Sequence, residues 1–193
     1  MPSVICFGDS NTYGYDPRTG GRYANGGWVS ILRKKTGWRF FNLGVNGRSI
    51  PCGEYAVDTA LHELQILFEP AESPSLWILL GDNDLLDGSS AERAAWKMGC
   101  FLDAVQQLFI KDKIFLIEPV NMRPGTWVPS AALAEESKKL SVIYQNLSSR
   151  LRIHFIQTSG WNIPLASDGV HFTENGHQIF AEKLFETQLS FKE

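Results

Sequence analysis

Short continuous apolar runs alternate along the chain with longer stretches whose apolar residues recur at helical spacing. Residues 4–7 (VICF), 76–80 (LWILL) and 113–117 (KIFLI) read as strands covered on both faces, because no polar position interrupts the apolar core of each run. Residues 39–43 (RFFNL) and 153–156 predict two more strands. Helices are expected over 28–35, 54–68, 89–109, 131–147 and 173–189. Gly37 closes the first of these, Pro70 and Pro74 end the second, and Ser90 caps the third. The second helix carries Tyr55, Ala56, Ala60, Leu61, Leu64 and Leu67/Phe68 at near-helical spacing. The last carries Ile179, Phe180, Leu184 and Phe185 on its apolar side. Two long loops remain, a glycine-rich one over 11–27 with Tyr13, Tyr15 and Tyr23, and one over 118–130 with three prolines and Trp127. Loops of that length are usually functional.

Strands that alternate with helices imply an α/β chain. The expected architecture is a single doubly wound domain over residues 1–193, a five-stranded parallel sheet with helices on both faces. No internal repeat or linker divides it. In open sheets of this kind ligands bind beyond the carboxyl ends of the strands. Chemistry is therefore expected after the first three strands and in the loop before the last helix.

Composition narrows the function classes. The chain has 193 residues, 44% apolar and 20% charged, with a net charge of −3, an ordinary globular balance. No basic face points to nucleic acid, and Arg33-Lys34-Lys35 sits where it complements a helix C-terminus. Cys6, Cys52 and Cys100 form no CxxC pair and no metal-ligand spacing, so neither a disulfide framework nor a zinc site is expected, and the thiols read as reduced. No apolar run reaches the ~20 residues of a membrane span. The N-terminus leaves no room for a signal-peptide core, which makes the cytoplasm the expected location.

Four segments fall at the expected edge: Gly8-Asp9-Ser10, GVNGRS over 44–49, Gly81-Asp82-Asn83-Asp84, and Asp168-Gly169-Val170-His171. Alone, Ser10 reads as a turn or cap residue and Gly47 as a turn glycine. Together they form a chemical set. Covalent ester cleavage needs a hydroxyl nucleophile, a base such as an imidazole, and a group that orients the base. Ser10, His171 and Asp168 can supply these. Donors for a developing oxyanion can come from the Ser10 and Gly47 N–H groups and the Asn83 amide.

The blocks FGDSN at Ser10, VNGRS at Gly47, GDND at Asn83 and DGVH at Asp168 and His171 resemble, in that order, the SGNH hydrolase superfamily of GDSL-type esterases and lipases. The similarity runs from residue 4 to the final helix. The extended first block, SNTYGYDP then TGGRY, resembles the bacterial arylesterase-like branch. The resemblance implies a flavodoxin-like SGNH fold and a serine esterase acting on short-chain acyl or aryl esters through an acyl-enzyme, with no metal or organic cofactor needed. It also implies homo-oligomerisation, since relatives with this extended block often assemble. Two positions depart from a simple reading. Asn11 replaces the leucine of GDSL and is expected to affect loop packing only. Asp82 puts a carboxylate beside the oxyanion donor, and is expected to point away or to be tied up by backbone N–H groups.

Other readings stay open. A phosphate or nucleotide binder would use a glycine-rich loop, but GVNGRS and TGGRY match neither GxGxxG nor GxxxxGK[ST]. Asp82, Asp84 and Asp87 lack the spacing of a calcium loop. A catalytically inactive ligand-binding module is the non-enzyme alternative. Within the enzyme reading, carbohydrate O-deacetylation and thioester cleavage compete with simple ester hydrolysis. Tyr13, Trp127, Trp161 and Ile163 are the candidates for holding the small-molecule substrate, with core packing as the competing role for the tryptophans.

Overall fold

The computed structural model describes residues 2–69 and 73–190, so the helix stop at Pro70 lies outside the described residues. Five strands form one parallel sheet: β1 (Ser3–Gly8), β4 (Arg39–Gly44), β5 (Ser75–Leu79), β6 (Ile114–Ile117) and β7 (His154–Ile156), in the spatial order β4-β1-β5-β6-β7. The chain thus leaves β1 toward one side and returns to its other side, which makes the edge beside β1 the topological switch point.

Alternation along the strands sorts side chains onto two faces. Ile5, Phe7, Leu76, Ile78, Ile114 and Leu116 join one buried cluster. Helices α3 (Glu54–Leu67), α5 (Ala91–Val105) and α6 (Ala131–Leu151) cover it. Val4, Cys6, Trp77, Leu79, Phe115 and Ile117 join the other, under α2 (Gly27–Thr36) and α7 (Glu174–Ser190). The continuous apolar runs therefore report burial on both faces. On α3 only Ala60 and Leu64 are buried, and Tyr55 is 86% exposed. The near-helical spacing there overstates the buried stripe, because α3 packs against α5 with most of its surface in solvent.

The loop expected over 11–27 contains structure. A single turn, α1 (Ser10–Tyr13), follows β1 directly. A two-residue ladder then pairs β2 (Tyr15–Asp16) with β3 (Gly21–Arg22). Asp16 closes the intervening turn by accepting from the backbone and guanidinium of Arg18. One turn of helix, α4 (Asp82–Leu86), likewise stands where only a polar loop is expected. Both turns are too short for hydrophobic periodicity to register. No helix is long and apolar enough to cross a membrane among the described residues.

The end of β4 presses on α1. A Cβ at Gly44 would strike the Tyr13 backbone nitrogen and lie 2.6 Å from the Thr12 carbonyl carbon. Gly44→Ala is expected to destabilise the chain by about 3 kcal/mol, lowering the melting temperature by about 6–12 °C. Thermal unfolding followed by circular dichroism measures this.

Candidate active site

Ser10 is the first residue of α1. Asp9 caps that turn, its Oδ1 accepting from the Asn11 N–H at 2.9 Å, and Gly14 ends it in the left-handed conformation at φ 90°. The Ser10 N–H therefore lies at a helix start, where no carbonyl of the turn can accept it. The Ser10 hydroxyl meets His171 Nε2 at 3.0 Å, and His171 Nδ1 meets Asp168 Oδ2 at 2.9 Å. All three side chains are buried or nearly so.

Asp168 also organises the backbone. Its Oδ1 accepts from the N–H groups of Val170 and His171, each at 2.9 Å. Burial pushes the Asp168 carboxyl upward, but these two N–H groups and the His171 ring outweigh it and hold it below the ordinary carboxylate value. An ionised Asp168 facing Nδ1 fixes the proton there and leaves Nε2 as an acceptor for the serine proton. The loop over 118–130 braces this segment from outside. Arg123 N–H donates to the Gly169 carbonyl, and Trp127 N–H to that of Asp168. The backbones run so close that a Cβ at Gly125 would strike the Asp168 carbonyl.

Gly47 lies in the turn after β4 at φ 74°, a conformation that favours glycine. Among the described residues its N–H makes no hydrogen bond within the chain. Asn83 lies in the first turn of α4, and its amide donates to the Arg48 carbonyl at 3.1 Å. That bond orients the amide while leaving its second N–H for another acceptor. Arg48 in turn lies over the Phe7 ring at 4.1 Å and pairs with Glu63. Buried Asp84 accepts from the Ile50 N–H and binds Lys97 at 2.7 Å, which ties the loop after β4, α4 and α5 together.

The expected substrate contacts divide. The Trp127 ring, half exposed, stands edge-on to His171 at 4.8 Å between centroids. Tyr13 is covered by the Arg22 guanidinium, 4.3 Å from its ring centroid. Tyr15 instead reaches the His171 ring, at 4.6 Å. Ile163 is buried in the cluster under α7, and the partly exposed Trp161 packs on Phe180 against that same cluster, so neither stands against His171 as Trp127 does. Aromatic residues near prolines look alike in sequence whether they face a cleft or a core. Tyr15 is not among the expected contacts, because a two-residue ladder leaves no periodic trace to tell it from Tyr13. A cavity of about 830 Å³ lies between Arg18, Tyr23, Glu174 and Gln178, and Ser10, Asp168 and His171 do not line it.

A family model, the GDSL-like lipase/acylhydrolase family, matches residues 6–179. The chain belongs to that family. It is accordingly a carboxylic ester hydrolase. A comparison with curated proteins finds no match. Among solved structures, the acylhydrolase is similar to a carbohydrate acetylesterase family member from Sinorhizobium meliloti, with 21% identity, 99% of each chain covered and a TM-score of 0.81. The aryl esterase of M. smegmatis gives 19% identity, 99% of this chain and 100% of that one, and the same TM-score. A lipolytic G-D-S-L family member from Veillonella parvula gives 20% identity, 96% and 97% coverage and a TM-score of 0.76. These likenesses show a shared fold.

Asp82 of the acylhydrolase is not tied up by backbone N–H groups at its Oδ1: it is 4% exposed, and that oxygen has no hydrogen-bond partner among the described residues. Burial, then the Asp9 and Asp84 charges, push its carboxyl well above the ordinary value. Burial also raises Asp9, to about 7, against the hydrogen bonds that lower it. Both effects move Asp82 toward its neutral form, in which a carboxyl opposes a developing negative charge less than a carboxylate does.

This has a consequence for stability. Above the ordinary carboxylate value the unfolded chain has released these protons while the folded chain still holds them. Stability therefore falls as pH rises from about 4 to about 7. Asp82→Asn keeps the neutral shape and is expected to lift the melting temperature near pH 8 and leave it almost unchanged near pH 4. Calorimetry at both pH values checks this; an equal shift at both would contradict it.

Proposed function

We propose that the protein is a serine esterase that cleaves short-chain acyl or aryl esters through an acyl-enzyme. The observation that carries this is the unbroken hydrogen-bond line from Ser10 Oγ through His171 to Asp168, at 3.0 and 2.9 Å. Ser10 Oγ attacks the ester carbonyl as His171 Nε2 takes its proton. Asp168 stabilises the resulting imidazolium. The carbonyl oxygen becomes an oxyanion that accepts from the Ser10 and Gly47 N–H groups and the free N–H of Asn83. Collapse of the tetrahedral species expels the alcohol, which takes the proton from His171. Water, deprotonated by the same imidazole, then attacks the acyl carbonyl and frees Ser10.

Tyr15 and the half-exposed Trp127, with ring centroids 4.6 and 4.8 Å from that of His171, favour a small acyl group with a flat or ring-shaped alcohol. The exposed indole also supports a second reading, removal of acetyl groups from a carbohydrate, since sugar rings stack on such faces. The named activities of the fold relatives from M. smegmatis and S. meliloti fit these two readings respectively.

Ser10→Ala is expected to lower kcat on 4-nitrophenyl acetate by roughly 10⁴-fold or more, with an unchanged circular dichroism spectrum. An organophosphonate should label wild type at Ser10 and leave the variant unlabelled. Full activity in Ser10→Ala would overturn the mechanism. Asn83→Ala is expected to cost roughly 10²–10³ in kcat. A chain-length series of nitrophenyl esters run beside acetylated sugars, with wild type and Trp127→Ala, separates the readings. Loss confined to the sugars favours the deacetylase.

A further inference from the structure

The geometry points to Asn11 as the positioning residue that holds His171 in register with Ser10. This rests on the serine mechanism above. Asn11 follows Ser10 directly and is 3% exposed. Its side-chain Oδ1 accepts from the Phe172 N–H at 2.9 Å, and its Nδ2 donates to the Val170 carbonyl at 3.2 Å. The two peptide groups that flank His171 are thus both bound to the residue beside the nucleophile. The amide acts as a strand peptide would, pairing with residues i and i+2 of the opposing chain. Its orientation is unambiguous, because only the oxygen can accept from a backbone N–H.

The clamp is anchored at its other end. The Asn11 N–H is held by the Asp9 carboxylate that caps α1, so the amide cannot shift without the turn that carries Ser10. Most other bonds brace the histidine loop against itself or its outer neighbours. Asp168 binds the Val170 and His171 N–H groups, and the His171 carbonyl accepts from Ala166 at 2.7 Å. Those bonds set the shape of the loop and the ring tautomer. They do not set how far Nε2 stands from Ser10 Oγ. Tyr23, whose hydroxyl donates to the Phe172 carbonyl at 3.3 Å, is a weaker second tie. A leucine at position 11 could make neither amide bond. The expectation that this position affects only loop packing is therefore too weak. Here it joins two segments of the site that lie 161 residues apart in the chain.

Three variants, Asn11→Leu, Asn11→Ala and Asn11→Asp, test this beside Ser10→Ala. For the first two, kcat on 4-nitrophenyl acetate is expected to fall about 10- to 100-fold with KM within about twofold, because a shift of ~1 Å in the base costs on that order. The downfield proton resonance of the His171 Nδ1–H should persist, because the Asp168 bond does not depend on Asn11.

Asn11→Asp gives a readout that loss of packing would not move. A neutral aspartic acid matches asparagine in shape and can make both bonds, whereas its carboxylate cannot donate to Val170. The ratio of variant to wild-type kcat should therefore fall as pH rises. A flat ratio over the whole pH range overturns the clamp, as does a folded Asn11→Leu or Asn11→Ala with kcat within about twofold of wild type. If Ser10→Ala is inactive while the Asn11 variants turn over normally, only the clamp fails. If Ser10→Ala stays active, the mechanism beneath it fails.

Discussion

Ser10 and His171 come from opposite ends of the chain, and a single hydrogen bond of 3.0 Å joins them. Closing so long a loop costs little more than closing a short one. The demanding part is placement to within a fraction of an ångström. The packing of α7 on α2 does the coarse part of this. Phe180, Ala181 and Leu184 sit in one buried cluster with Trp28, Val29 and Leu32, and the Trp28 N–H donates to His177 Nδ1 across the seam. His177 is driven by burial, then by the neighbouring His171, down to about 3, so it stays neutral and able to accept. The start of α7 is therefore carried to the switch point of the sheet, and the loop before it lies against the turn that holds the serine.

The reactive edge is crowded with buried acids. Asp84 is satisfied by Lys97 and the Ile50 N–H, and Asp168 by its own loop. Asp9 caps α1 but is still pushed upward by burial, and Asp82 keeps an oxygen with no partner among the described residues. A core chosen for stability alone would avoid such groups, since an unpaired buried polar atom costs about 1–3 kcal/mol. They are concentrated beside α1 and α4, the two single turns that carry Ser10 and Asn83.

Much of the fold was legible. All five strands of the sheet and all five long helices lie where apolar runs and helical spacing put them, because burial on both faces writes itself directly into composition. What escaped was short. The single turns α1 and α4 and the ladder of β2 and β3 are too brief for a period, yet they carry Ser10, Asn83 and Tyr15. Ile163, which resembled a rim residue by its neighbours, is buried beneath α7 instead, and Trp161 packs on Phe180. Burial is decided by what the rest of the chain brings over a residue, and local sequence does not record that.

The sequence by itself determined the sheet, the helices and the four blocks from which the site is built. Side-chain hydrophobicity and the left-handed glycines act locally, and their traces survive in the order of residues. Only the tertiary structure decided three things: that Ser10, His171 and Asp168 form one hydrogen-bonded line, that Asp82 is buried and driven toward its neutral form, and that Asn11 bridges both ends of the site. Each depends on distances between segments far apart in the chain. Such distances are set by the packing of whole helices against the sheet, and no spacing within any one block encodes them.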